Sequence, residues 1–174
     1  MALINKVLPG YVATLWCQSG ANPTALTDTQ LETWTGQVAD IIGSSAGGTG
    51  LDGIQVPVES IPAFGADDAS ATYAVAGART GAKITTQNQV TSLTITSAWN
   101  PADTAQLLIR DDGYNGTTIR TFVIATYDGT DTVAYAFNAR VGGLQWDMSP
   151  SAEGKFTFVL HPVGGNSYGW SNNA

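Results

Sequence analysis

The sequence predicts a mainly β chain with one or two helices, a β-sandwich or barrel-like domain with a flanking helix. Three observations carry that expectation. The second half holds four β-branched and aromatic runs, an Asn-Pro-Ala-Asp helix opening stands among them, and Gly-rich or Asp-Gly breakers separate them. A chain of 174 residues can bury roughly 70% of its unfolded surface in one core, so residues 1–174 are expected to form a single domain.

Residues 1–10 are expected to be an N-terminal arm. The first strand is predicted over 11–16, closed by the breaker Ser19-Gly20-Ala21-Asn22-Pro23. Leu31, Trp34, Val38, Ile41 and Ile42 then recur at helical spacing, with Thr29 and Glu32 as a capping box, which predicts a helix over 29–42 ended by Gly43. Five glycines between 43 and 53 make a flexible loop. Pro57 and Pro62 interrupt short apolar pieces from 54 to 69, which suits an extended edge or arm better than a central strand. The stretch 43–70 therefore reads as one long loop, followed by a short strand candidate at 71–76.

The regular part begins at 91. Over 91–99, Leu93, Ile95 and Trp99 fall on one face and Thr94 and Thr96 on the other, the pattern of a half-buried strand. Asn100 as cap, Pro101 at the first helical position and Asp103 in the first turn then open a helix predicted to reach about 111 and stop at Gly113. Runs 118–127 and 132–141 flank Asp128-Gly129-Thr130-Asp131, a hairpin signal. In the first, Phe122 and Ile124 point one way and Ile119, Val123 and Tyr127 the other, so this strand should be covered on both faces. A last strand is predicted over 155–161, before a polar tail at 164–174.

Composition excludes much chemistry. One Cys cannot close an internal disulfide, and one Cys with one His cannot make an ordinary zinc site. Fourteen acidic residues against seven basic ones give a net charge of −7, a poor counter-ion for phosphate or anionic lipid. Only 12% of residues are charged while 43% are hydrophobic, which rules against disorder and points to a surface built of Thr, Ser, Asn, Gln and Gly or covered by other copies. No apolar stretch is long enough for a membrane helix, and the N-terminus lacks a cationic leader, so membrane insertion and export are not expected. A reducing cytosol is the expected compartment, which makes Asn115-Gly116-Thr117 a chance glycosylation triplet.

Motif matches are weak. Gly48-Thr49-Gly50-Leu51-Asp52-Gly53 has the letters of a dinucleotide fingerprint, but a helix is predicted before it and an extended segment after it, the reverse of what phosphate binding needs. Gly43 and Gly48 have P-loop spacing with Thr49 where Lys is required. The clusters Asp111-Asp112-Gly113 and Asp128 to Asp131 lack the spaced oxygens and distal Glu of a calcium loop, and turn chemistry suffices for them. His161 is the one possible imidazole base, with no sign of a nucleophile converging on it, and Cys17 reads as a small apolar core residue. No metal, cofactor or catalytic function is expected. Five tryptophans could make a sugar-binding platform; Trp16, Trp34 and Trp99 stand at core-like positions, leaving Trp146 and Trp170 in predicted loops or tail.

The Ile61-Pro62-Ala63-Phe64-Gly65 arm, the 91–99 strand, the helix opened at Asn100, the hairpin around 128–131 and the closing run 150–160 come in an order that resembles the major tail tube proteins of long-tailed bacteriophages. The resemblance spans residues 54–163 and is one of order and composition. It implies a β-sandwich with a flanking helix, assembling into hexameric rings that stack into a tube. Double-stranded DNA would be passing cargo only, inside an acidic or polar lumen. It further implies a virion location in the tail, assembly in the host bacterial cytoplasm, and partners such as tape measure, tail tip and terminator proteins. On this resemblance Ile54, Val56, Pro57, Ile61, Pro62 and Phe64 are candidate contacts of an inter-subunit arm, and Trp170 a candidate contact from the tail. The alternatives are a carbohydrate-binding β-sandwich and a tube or terminator protein of a related tail or secretion system.

Overall fold

A computed structural model describes residues 13–27, 29–30, 51–64, 66–73, 82–127, 132–150, 153–163 and 169–173. Its strands are β1 (Thr14–Gln18), β2 (Gly53–Val56), β3 (Ala66–Tyr73), β4 (Ala82–Val90), β5 (Leu93–Ala98), β6 (Arg120–Tyr127), β7 (Thr132–Asp147), β8 (Lys155–Pro162) and β9 (Gly169–Asn173). One helix, α1 (Thr104–Asn115), lies between β5 and β6. The main sheet has the order β2-β1-β6-β7-β8-β5, with every neighbouring pair antiparallel. The fold class is the expected one, mainly β with a flanking helix.

The predicted hairpin is the centre of this sheet. β6 and β7 pair in continuous register from Arg120 opposite Ala139 to Tyr127 opposite Thr132. β7 is much longer than expected. Its second edge takes β9 over Thr132 to Ala136 and β8 from Ala139 onward, so one strand serves two partners. The run expected over 132–141 continues through a bulge at Gly142-Gly143, where β7 advances three residues from Gly142 to Gln145 while β8 advances two. Gly143 has φ 58°, and a Cβ there would lie 2.7 Å from Val159 Cγ2, so only glycine fits. The extra residue reverses the alternation. Val141 packs in the core before the bulge, and Leu144 and Trp146 return to it after.

α1 begins three residues later than predicted. Asn100 makes a turn, its Oδ1 accepting from Ala102 N and its carbonyl from Asp103 N, and Asp103 is the cap whose Oδ1 accepts from Gln106 N at 2.9 Å. The chain needs that turn to leave β5 before the helix can start. Gln106, fully buried, closes the corner by donating to Ser97 Oγ and Ala98 O while accepting from Asn100 N. The helix also runs past Gly113 to a left-handed cap at Gly116, whose N–H donates to Asp112 O. Gly113 is there for contact rather than termination, because a Cβ would stand 2.7 Å from Leu144 Cδ1.

The main core fills the space between α1 and one sheet face. Leu15, Val56, Ile95, Ile109, Phe122 and Phe158 are among its buried members. Four more elements depart from the sequence reading. β4 had no predicted counterpart, and β3 starts earlier than the expected 71–76 strand. Together they make a separate two-stranded sheet with a bulge at Ala69/Ser70. The stretch 43–70 is not one loop, since it holds β2 and the start of β3. The tail is not wholly irregular either, because its 169–173 part is β9. The 1–10 arm, most of the predicted 29–42 helix and its Glu32, and the 128–131 turn lie outside the described residues. The described start of that helix is capped by Thr27, whose Oγ1 accepts from Gln30 N while Gln30 Oε1 accepts from Thr27 N, two residues ahead of the expected pair.

Candidate assembly surface

The two halves of the sheet's second face, turned away from α1, differ in kind. Over β1, β6 and the first part of β7, Val123, Ala125, Ala134 and Ala136 are buried with Leu26 and Leu51, and Trp16 packs against them. A polar lock holds the covering segment: Thr121 Oγ1 accepts from Leu26 N and donates to Asn138 Oδ1, and Asn138 Nδ2 donates to Leu26 O. Both backbone groups of Leu26 are thereby satisfied inside the protein. β6 is covered on both faces, as its unbroken apolar run predicts.

Over β5, β8 and the rest of β7 the same face is open. Thr94, Arg140, Gln145 and His161 are exposed, and Thr96 Oγ1 lies 3.2 Å from Thr157 Oγ1 across the β5–β8 pair. Arg140 and His161 face each other in register, and Ser92 Oγ is 3.0 Å from His161 Nδ1. Among the described residues the side-chain hydrogen-bond partner of His161 is thus the Ser92 hydroxyl.

An ion pair that the sequence did not advertise anchors the helix. Arg120 and Asp112 are both buried, with Nε donating to Oδ2 at 2.5 Å and Nη2 to Oδ1 at 3.1 Å. Arg120 Nη1 also donates to the carbonyls of Gln18 and Gly20. One guanidinium therefore ties the last turn of α1 to the end of β1. This commits Asp112 to an ion pair, and Asp111 pairs separately with Arg110, so the Asp111-Asp112 cluster is accounted for without an ion. Among the described residues no group of three or more His, Cys, Asp or Glu could hold a metal. Burial pushes the Cys17 thiol up to about 12, with Arg120 opposing the shift, so it stays protonated and packs as an apolar filler.

The expected arm contacts lie mostly inside the domain. Val56 is buried in the main core, and Ile54, Ile61 and Phe64 pack against it from β2 and the chain that follows. Phe64 meets Tyr135 edge-on at 5.1 Å. The physical reason is simple: these apolar side chains find a partner in their own sheet. Pro57 and Pro62 flank a segment that meets the edge strand β5 at Ser60, opposite Thr96, where Glu59 N donates to Thr96 O. Trp170 is on β9, opposite Tyr135 of β7. Trp146 is not in a loop. It lies on β7 and stacks on Phe156 at 5.2 Å and Tyr114 at 6.2 Å, with Trp99 edge-on at 6.1 Å. A ring so engaged is a poor sugar platform. The fingerprint-like glycines end in β2, with a strand rather than a helix after them.

What sequence reasoning missed is the apolar surface beside this cluster. Tyr114 is 70% and Met148 55% exposed, at the ends of α1 and β7. The signal in the sequence is Trp146-Asp147-Met148, three residues beyond the Gly142-Gly143 pair.

No family model matches the sequence, and no curated protein matches it either. Solved structures do. A chain of the sheath/tube terminator of an extracellular contractile injection system, PVC, in its extended state, aligns at 12% identity and TM-score 0.58 over 99% of this chain and 100% of that one. A chain of the anti-feeding prophage baseplate, from a six-fold symmetrised cryo-EM structure, aligns at 13% identity and TM-score 0.53 over 64% of this chain and 80% of that one. The β-sheet with its single described flanking helix is therefore a fold found in the terminator and baseplate of contractile injection systems.

Proposed function

We propose that this protein is a non-catalytic structural subunit of a phage tail or tail-like injection particle, forming a ring that builds or ends the tube. The observation that carries this reading is the match in fold along nearly the whole chain to a sheath/tube terminator. The low charge density agrees with a subunit whose surface is shared with other copies. So does the separate β3–β4 hairpin, since an isolated two-stranded ribbon is marginal in water and gains by lying on a neighbour. The net charge of −7 disfavours a grip on nucleic acid, as suits a conduit through which DNA passes.

Within this reading the chain either builds the tube or ends it. Negative-stain microscopy with light scattering on the purified protein over a concentration series separates the cases. Rings that stay rings support a terminator, and tubes support the tube protein. A protein that remains monomeric at the highest concentrations sinks both.

A further inference from the structure

We propose that the apolar surface at the ends of α1 and β7 is a subunit contact, filled head to tail by a second copy of this chain that brings Arg140 to its acidic rim. This rests on the ring-forming reading and specifies which surfaces meet.

Tyr114 and Met148 are the exposed large apolar side chains of the described residues, and they belong to one surface. Tyr114 stacks on Trp146, Trp146 meets Trp99, and a Cβ on Gly154 would touch both Met148 Sδ at 3.1 Å and Trp99 Cβ at 3.9 Å. Aromatic and Met side chains grouped in this way are the composition of an interface centre. The rim carries two carboxylates, with Lys155 opposite Asp147 in register but engaged by Glu59. Asp147 adjoins Met148, Glu153 adjoins Gly154, and both are exposed with no ion pair among the described residues. The carbonyl end of α1 adds to the negative potential there.

Among the described residues, the cation without an ion pair is elsewhere on the same chain. Arg110 is paired with Asp111, Lys155 with Glu59, and Arg120 with Asp112 in the interior. Arg140 is exposed, with no ion pair among the described residues. It lies on the open sheet face seven residues before Asp147, roughly 20 Å back along β7, too far to serve its own rim. Two complementary surfaces at different places on one chain make a heterologous contact, the kind that closes into a ring when the rotation divides the circle.

The test is the concentration dependence of assembly, by light scattering and negative stain, for variants whose thermal melting matches the parent. Tyr114→Ser with Met148→Ser, Arg140→Glu, and Asp147→Lys with Glu153→Lys should each raise the concentration needed for assembly about tenfold or more. The variant combining Arg140→Glu with both lysines should recover most of the loss, because the charges are exchanged. If the parent forms rings and the Tyr114/Met148 variant forms them at the same concentration, this contact is wrong while the ring reading stands. If the charge variants fail and their combination fails equally, the pairing of Arg140 with the rim is wrong. A parent that never associates removes the ring reading itself.

Discussion

The covered and open halves of the sheet's second face share only β7 and are written in different amino acids. β6 reads Phe122-Val123-Ile124-Ala125, apolar at every position, and is buried on both sides. β8 reads Phe156-Thr157-Phe158-Val159-Leu160-His161, with only its even positions buried. β7 passes from one regime to the other: Ala134 and Ala136 lie under the covered half, while Arg140 is exposed. The change from unbroken to alternating pattern thus marks where the protein stops covering its own sheet. A surface left open in this way, in a chain with few charges, is available to a neighbour.

The largest expected effect lies on the opposite face of β6, where the helix is joined to β1. Arg120→Leu leaves Asp112 buried without a partner and strips the carbonyls of Gln18 and Gly20 of their donor. We expect a loss of about 3–5 kcal/mol in urea unfolding, with recovery of much of it in Arg120→Leu/Asp112→Leu, since the double variant buries no orphan charge. A single variant as stable as the parent would mean that the guanidinium contributes nothing to the join between α1 and β1.

A matched pair of substitutions measures the contrast directly. Val123 on the covered half is fully buried, whereas Val159 on the open half is partly exposed. Replacing a methyl by a hydroxyl of the same size should cost about 1–3 kcal/mol in Val123→Thr, where the hydroxyl is desolvated, and under about 0.5 kcal/mol in Val159→Thr, where water reaches it. Equal costs would show that the two halves are covered alike.

The point where β7 changes partners gives a third measurement. Gly143→Ala places a Cβ against Val159 in a left-handed backbone and should cost about 1–2 kcal/mol. Adding Val159→Ala relieves the clash but not the backbone strain, so it should restore less than the whole. Complete restoration would assign the glycine to packing alone.

The elements legible in the sequence are those whose signal is local. β5, β8 and the β6–β7 hairpin alternate or run apolar over six or more residues, and such periods survive in any context. The elements that were missed are decided by partners far along the chain. Gly169–Asn173 has little strand propensity and becomes β9 because β8 leaves the early edge of β7 unpaired. Gly113 reads as a stop because a glycine required by Leu144 looks, in sequence, like one that ends an element. The candidate surface was hidden for the same reason. Arg120 and Asp112 are eight residues apart with nothing local to pair them, and Tyr114 meets Trp146 only through the fold.

The smallest expected effect tests whether the open half is held by its own charges. Lys155 at the start of β8 donates to Glu59 at 3.0 Å, both side chains being well exposed at 44% and 38%. Water and salt screen such a pair, and two long side chains lose freedom to make it, so Lys155→Met should change stability by less than about 0.5 kcal/mol. The same substitution removes a cation beside the acidic rim of Asp147 and Glu153. Assembly should therefore tighten or stay unchanged with Arg140 present, while the melting temperature hardly moves. A large loss of stability would place this pair with Arg120 and Asp112 among the fold's anchors, and would show that the open half depends on its charges after all.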